Sequence, residues 1–167
     1  MRMYRKFGQA LAILCCVVMF ALAIGYLFSH GVFTPNAETG SITLYTTDEE
    51  TGEEIYFYEH ADFQAALLVA LAFLVSTVAN ACVSDYPQIA TGISLLPFVL
   101  TFYEMAVGNM NFVVAAVVLL MALIHVVSNA LDWYDTHTFK KQERAEKEAE
   151  EMKVEAEEVK EEAVEQA

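Results

Sequence analysis

The chain has no lysine or arginine between Phe7 and Phe139. All nine basic residues lie at the two ends, three before the first long apolar run and six after the last. Recognition of nucleic acid needs a basic patch or stripe on a folded domain. The middle of this 167-residue chain has no such patch, so we expect no nucleic-acid partner.

Cysteine is also scarce, and all three cysteines, Cys15, Cys16 and Cys82, fall within apolar runs. None lies where an oxidising compartment could pair it, which excludes a membrane thiol oxidoreductase that works through surface disulfides.

The sequence also lacks a phosphate loop, a nucleophile elbow and a zinc signature. The grouping of Asp132, Asp135 and His137 is too common to predict a metal. We expect no enzyme, no cofactor and no metal site.

Apolar residues make up 56% of the chain, above the 45–50% or so of soluble domains. They gather into four runs that predict transmembrane helices at 10–28, 63–84, 88–107 and 111–131. A helix of about 20 residues rises about 30 Å, the thickness of the hydrocarbon core. Within these runs the single charged residue is Glu104. The lipid bilayer is therefore the first expected partner.

Orientation follows from the charged flanks, because basic residues beside spans remain in the cytoplasm. We predict a basic cytoplasmic N-terminus at 1–9, an outer loop at 29–62 and a charged cytoplasmic helical tail at 132–167, all at the cell membrane. The outer loop carries eight acidic residues and no basic one. Short links after the second and third spans force antiparallel neighbours. The predicted fold is an all-α, antiparallel four-helix transmembrane bundle with an extracytoplasmic β-hairpin insertion and a cytoplasmic C-terminal helix.

The outer loop contains two short runs of β-branched and aromatic residues around a Thr51-Gly52 turn. This alternation predicts a β-hairpin over 41–59, with Tyr45 opposite Tyr56 and Leu44 opposite Phe57. An isolated hairpin is marginally stable in water. One face should therefore rest on the helix ends, on a second copy of the chain or on a partner.

The tail repeats small apolar residues at heptad spacing, and most of the flanking positions are glutamate. The seam consists of Ala145, Ala149, Met152, Ala156, Val159 and Ala163. Alanine knobs bury little area and glutamate flanks repel, so a homodimeric coiled coil is disfavoured. We interpret the tail as a solvated single helix or as a docking element for a partner.

The third span carries small and polar residues along one side. This stripe consists of Ala90, Ser94, Pro97, Thr101, Glu104 and Gly108. Such a stripe should face other helices, either as packing or as part of a polar path. Glu104 is a functional candidate, because an ionisable group inside a membrane is costly. It also lies four residues from the outer end of its span, where it can reach the headgroups.

A second polar face combines His125 and Asn129 on the fourth span with Asn80 on the second. These residues lie at the same depth and are spaced to share helix faces. They indicate either interhelical hydrogen bonding or a polar cavity open to the cytoplasm. The candidate intramembrane polar site is Glu104, His125, Asn80, Thr101, Ser94 and Asn129.

Two functions fit these features. The first is a non-catalytic accessory or scaffold subunit, which contacts a protein partner or further copies through the outer hairpin and the acidic inner tail. The alternative is a small oligomeric proton- or cation-linked transporter or channel, in which Glu104, His125 and Asn80 mark a polar path. A single bundle of four helices is barely wide enough to enclose a solute, so the alternative requires oligomers or inserted water.

Overall fold

The computed structural model describes residues 3–33, 35, 40–48, 50–83 and 86–165, with side chains described up to residue 153. Four long helices dominate these residues, and all four are long and apolar enough to cross a membrane. Their bounds are α1 Met3–Ser29, α2 Ala61–Cys82, α3 Pro87–Ala106 and α4 Phe112–Glu165. The four predicted spans are therefore present as four helices.

The helices pack in chain order, and α1 also packs against α4, which closes the ring. Contacts at both ends show that α1 and α2 run antiparallel. At one end the His30 ring hydrogen-bonds to the Asp62 carboxylate, and at the other the Arg5 side chain donates a hydrogen bond to the backbone oxygen of Asn80. Small residues fill the interior, which lets the helix backbones approach closely. The core contains Ala12, Cys15, Cys16, Met19, Ala23, Ala65, Ala66, Val69, Ala70, Phe73, Ala115, Val118 and Ala122.

Large apolar side chains cover the outside of all four helices. Val17 is 61% exposed and Leu120 is 57% exposed, with comparable residues on α2 and α3. A soluble monomer rarely exposes a continuous apolar surface of this extent. The exposed belt and the small-residue interior together identify a membrane protein.

The predicted hairpin is confirmed in a shorter form. Strands β1 (Tyr45–Thr47) and β2 (Glu54–Tyr56) pair antiparallel in the predicted register, with Tyr45 opposite Tyr56. Strand pairing covers less than the predicted 41–59, because Phe57–Glu59 turns into 3₁₀ helix just before α2. The Phe57 ring packs edge-on against Phe63 at 5.9 Å, which seats this end of the hairpin on α2.

Asp48 shapes the turn between the strands. One oxygen of its carboxylate accepts hydrogen bonds from the backbone N–H groups of Glu50 and Thr51 at 2.8 and 2.9 Å. These bonds favour the ionised form and hold the pKa of Asp48 below its ordinary value. Gly52 supplies the positive φ of 74° with which the turn closes. The turn therefore falls where the sequence predicted it.

Two helices extend beyond the predicted spans. Helix α1 begins at Met3, so part of the basic segment 1–9 is helical, and Arg5 is buried at 9% exposure. The described part of the predicted helical tail belongs to α4, which continues without a break from Phe112 to Glu165. Residues 132–140 contain no glycine or proline. The hydroxyls of Thr136 and Thr138 bond back to carbonyls four residues earlier, so nothing interrupts the helix there.

Candidate functional site

A buried polar cluster joins three helices in the half of the bundle near the start of α1. We call it the inner polar cluster, because it lies in the interior of the bundle. It comprises Arg5 and Gly8 on α1, Ser76 and Asn80 on α2, and His125, Ser128, Asn129 and Asp132 on α4. Gly8 is buried, and each of the other seven residues is at least nine-tenths buried. The predicted meeting of the polar faces of the second and fourth spans is present here.

His125 lies at the centre and is fully buried. Its Nδ1 is 2.9 Å from the backbone oxygen of Gly8, and its Nε2 is 2.8 Å from the hydroxyl of Ser76. A carbonyl only accepts, so Nδ1–H is the donor, and Nε2 of a neutral ring accepts from the serine hydroxyl. One imidazole therefore links α1, α2 and α4 with both of its nitrogens satisfied.

Gly8 allows α1 to approach α4 closely enough for this contact. A Cβ atom at Gly8 would lie 2.9 Å from the Cβ of Ser128 and 3.4 Å from Nδ1 of His125. Cβ atoms in proteins do not approach this closely, so any side chain here would push the helices apart. Neither Gly8 nor Arg5 was among the predicted site residues, because nothing in the basic segment 1–9 indicates which residues will contact another helix.

The amides of the cluster are only partly satisfied by protein groups. Nδ2 of Asn129 donates to the backbone oxygen of His125 at 3.0 Å. Among the described residues, Oδ1 of Asn129 and both amide atoms of Asn80 have no hydrogen-bond partner, although they are buried. Burial of an unpaired polar group is unfavourable. These atoms can bind water or a small polar solute, so the cluster has a binding capacity in addition to its packing role.

The α3 stripe faces the interior as predicted, with Gly108 as the exception, since it is exposed in the turn after the helix. The hydroxyls of Ser94 and Thr101 donate to carbonyls of their own helix, those of Thr91 and Pro97, at 2.7 and 2.6 Å. Such bonds leave neither hydroxyl as a donor to another helix. The stripe therefore allows close packing of the helices, and its hydroxyls do not form a hydrogen-bonded relay between them.

Glu104 is 4% exposed and lies at the opposite end of the bundle from the inner polar cluster. Its Oε2 accepts a hydrogen bond from Nδ2 of Asn109 at 2.9 Å, and its backbone oxygen accepts from the Asn109 N–H. These bonds fasten the turn between α3 and α4. The structure thus brings His125, Asn80 and Asn129 together and places Glu104 apart from them.

A third group of polar residues lies where the loop between α1 and α2 joins these two helices. His30 follows α1, His60 precedes α2, and Asp62 lies in the first turn of α2. Nε2 of His30 is 2.7 Å from Oδ2 of Asp62, and the two imidazole rings stack with centroids 4.2 Å apart. Burial and then the neighbouring His30 lower the pKa of His60. This group was not predicted from the sequence, because His30 lies 30 residues before His60 and 32 before Asp62 and the three residues form no motif.

Comparison of the chain with family models, with curated proteins and with solved structures finds no match.

Proposed function

We propose that the chain is a multi-pass protein of the cell membrane with both ends in the cytoplasm, where it serves as a non-catalytic accessory or scaffold subunit. Its outer hairpin and its acidic inner tail make the contacts. The position of all nine basic residues at the ends supports this orientation. The antiparallel bundle anchors the two contact segments on opposite sides of the bilayer.

The observation that carries the proposal is the continuity of α4 over 54 residues. At a rise of about 1.5 Å per residue, the part beyond Leu131 extends about 50 Å past the apolar span. A tail of this kind is a rigid extension of the bundle and not a tether. A bound partner would therefore be held at a defined distance and direction from the membrane.

The surface of this extension favours a protein contact. Its residues from Phe139 to Lys153 are all exposed, and Met152 is 64% exposed on the alanine seam. An apolar seam on a solvated helix buries no surface, and so adds no stability, unless another surface covers it. The glutamates on either side disfavour a second copy and favour a partner with basic residues around an apolar groove.

The inner polar cluster supports the same function from within the membrane. Its hydrogen bonds hold α4 against α1 and α2 in the half of the bundle from which α4 continues into the tail. A fixed exit angle is what a rigid scaffold requires. The cluster therefore serves the tail by fixing its base.

The test is the size of the native assembly after the seam is blocked. We expect the wild-type chain, extracted from its own membranes in mild detergent, to migrate on a native gel as part of a larger complex. Ala149→Arg should release the chain from that complex, because arginine blocks the seam while keeping good helix propensity. Glu150→Gln changes the charge equally but lies off the seam, and it should leave the complex intact.

A wild-type chain that migrates alone, or a complex that survives Ala149→Arg, would refute the scaffold function. Dependence of the complex on Glu150 as strongly as on Ala149 would refute the role of the seam.

One observation favours the alternative function of an oligomeric proton- or cation-linked transporter. Among the described residues, both amide atoms of Asn80 and Oδ1 of Asn129 are buried without a hydrogen-bond partner, and a polar path needs such groups to hold water or a cation. Against it, Glu104 lies at the other end, and the hydroxyls of Thr101 and Ser94 bond within their own helix. We therefore place this function second.

A further inference from the structure

We propose that His30, His60 and Asp62 form a binding site for a divalent transition-metal cation, with Zn²⁺ as the best match to their chemistry. The site would pin the two ends of the outer loop to each other. It is independent of the scaffold function and uses residues that play no part in the inner polar cluster.

The ligand atoms are already assembled. One nitrogen of each histidine and one carboxylate oxygen of Asp62 lie within 4.8 Å of one another. Ligands bound to one tetrahedral Zn²⁺ at about 2.0–2.2 Å lie roughly 3.3 Å apart. Small side-chain rotations would bring all three to that spacing, and His30 and Asp62 have side-chain exposures of 38% and 31%, which leaves room for them.

The existing contacts suit a ligand set. Nε2 of His60 is buried without a hydrogen-bond partner among the described residues, so coordination would satisfy it. Oδ1 of Asp62 accepts from the backbone N–H of Phe63 at 2.8 Å, which orients the carboxylate and leaves Oδ2 toward His30. A second hydrogen bond of this kind is how proteins position metal-binding carboxylates.

The donor types select the metal. Two imidazoles and one carboxylate suit Zn²⁺, Cu²⁺ and Ni²⁺, whereas Ca²⁺ and Mg²⁺ require oxygen ligands throughout. Three protein ligands leave at least one coordination position for water or for a group from a partner. The acidic loop, with eight acidic residues and no basic one over 29–62, raises the local concentration of cations.

The test measures Zn²⁺ binding by equilibrium dialysis on the full chain, purified without a histidine tag. We expect one Zn²⁺ per wild-type chain, and at least about tenfold weaker binding in His60→Gln and in Asp62→Asn. His137→Gln is the matched control, because His137 is exposed on α4 at the other end of the molecule. Its affinity should equal that of the wild type.

A second measurement uses the wild-type chain alone and does not depend on variants that fold. Zn²⁺ should protect His30 and His60, but not His137, from modification by diethyl pyrocarbonate, as read by peptide mass spectrometry. A wild-type chain that binds no Zn²⁺, or one whose binding depends on His137, would overturn the proposal. Zn²⁺ that binds without protecting His30 and His60 would overturn it as well.

Discussion

Gly8→Leu should destabilise the protein by about 3 kcal/mol, the upper part of the range for overpacked sites. A Cβ at this position would already lie 2.9 Å from the Cβ of Ser128, and the remaining leucine atoms have no space between α1 and α4. The helices must separate, and the hydrogen bond from His125 to the Gly8 carbonyl is lost with them. We would measure the loss as a lower unfolding temperature of the helical signal in detergent micelles.

Gly25→Leu is the matched control on the same helix. Gly25 has no heavy atom within 4 Å of its would-be Cβ, so leucine there meets open space. Leucine is a better helix former than glycine by up to about 1 kcal/mol, so this variant should be as stable as the wild type or slightly more so. Equal effects of the two substitutions would contradict the close contact at Gly8.

His125→Ala should destabilise the bundle by about 2–4 kcal/mol, comparable to other large-to-small substitutions at fully buried positions. Two losses combine: a cavity beside Phe73, whose ring centroid lies 6.5 Å from that of His125, and the bonds to Ser76 and Gly8. His125→Leu refills most of the volume and removes only the hydrogen bonds. Its effect should be smaller, about 1–3 kcal/mol.

A double-mutant cycle separates the serine contact from the rest. His125→Leu and Ser76→Ala should couple by about 0.6–1.7 kcal/mol, the range for hydrogen bonds between membrane helices. Thr77→Val is the control, because the Thr77 hydroxyl bonds to the Phe73 carbonyl of its own helix. It should show no coupling with His125. An uncoupled Ser76 would show that the histidine does not join α2 to α4.

Several features could be predicted because each depends on a short-range period. The alternation around Thr51-Gly52 predicted the register of Tyr45 with Tyr56, since side chains in paired strands repeat every two residues. The spacing of four and three residues predicted that the stripe with Ser94 and Thr101 faces inward. Hydropathy alone located the four helices, because each has to match the thickness of the bilayer.

The features that were missed depend on pairs of residues far apart in the sequence. Gly8 and His125 are 117 residues apart, and nothing local marks that a backbone carbonyl will meet an imidazole. His30 and Asp62 likewise meet only because α1 and α2 are antiparallel, which places the end of α1 beside the start of α2. The continuation of α4 into the tail as one helix was not predicted, for a different reason. The change of composition after Phe139 alters the polarity of the surface and leaves helix propensity intact.

We have proposed that the inner polar cluster anchors a scaffold and does not carry a solute. The most direct measurement is proton and cation flux into proteoliposomes, recorded between about pH 5 and 8, where a histidine path would change its charge. We predict that wild-type protein, Glu104→Gln and His125→Gln all give the same flux as empty liposomes. A wild-type flux above that of empty liposomes, lost in a folded His125→Gln variant, would contradict the claim and establish the transporter.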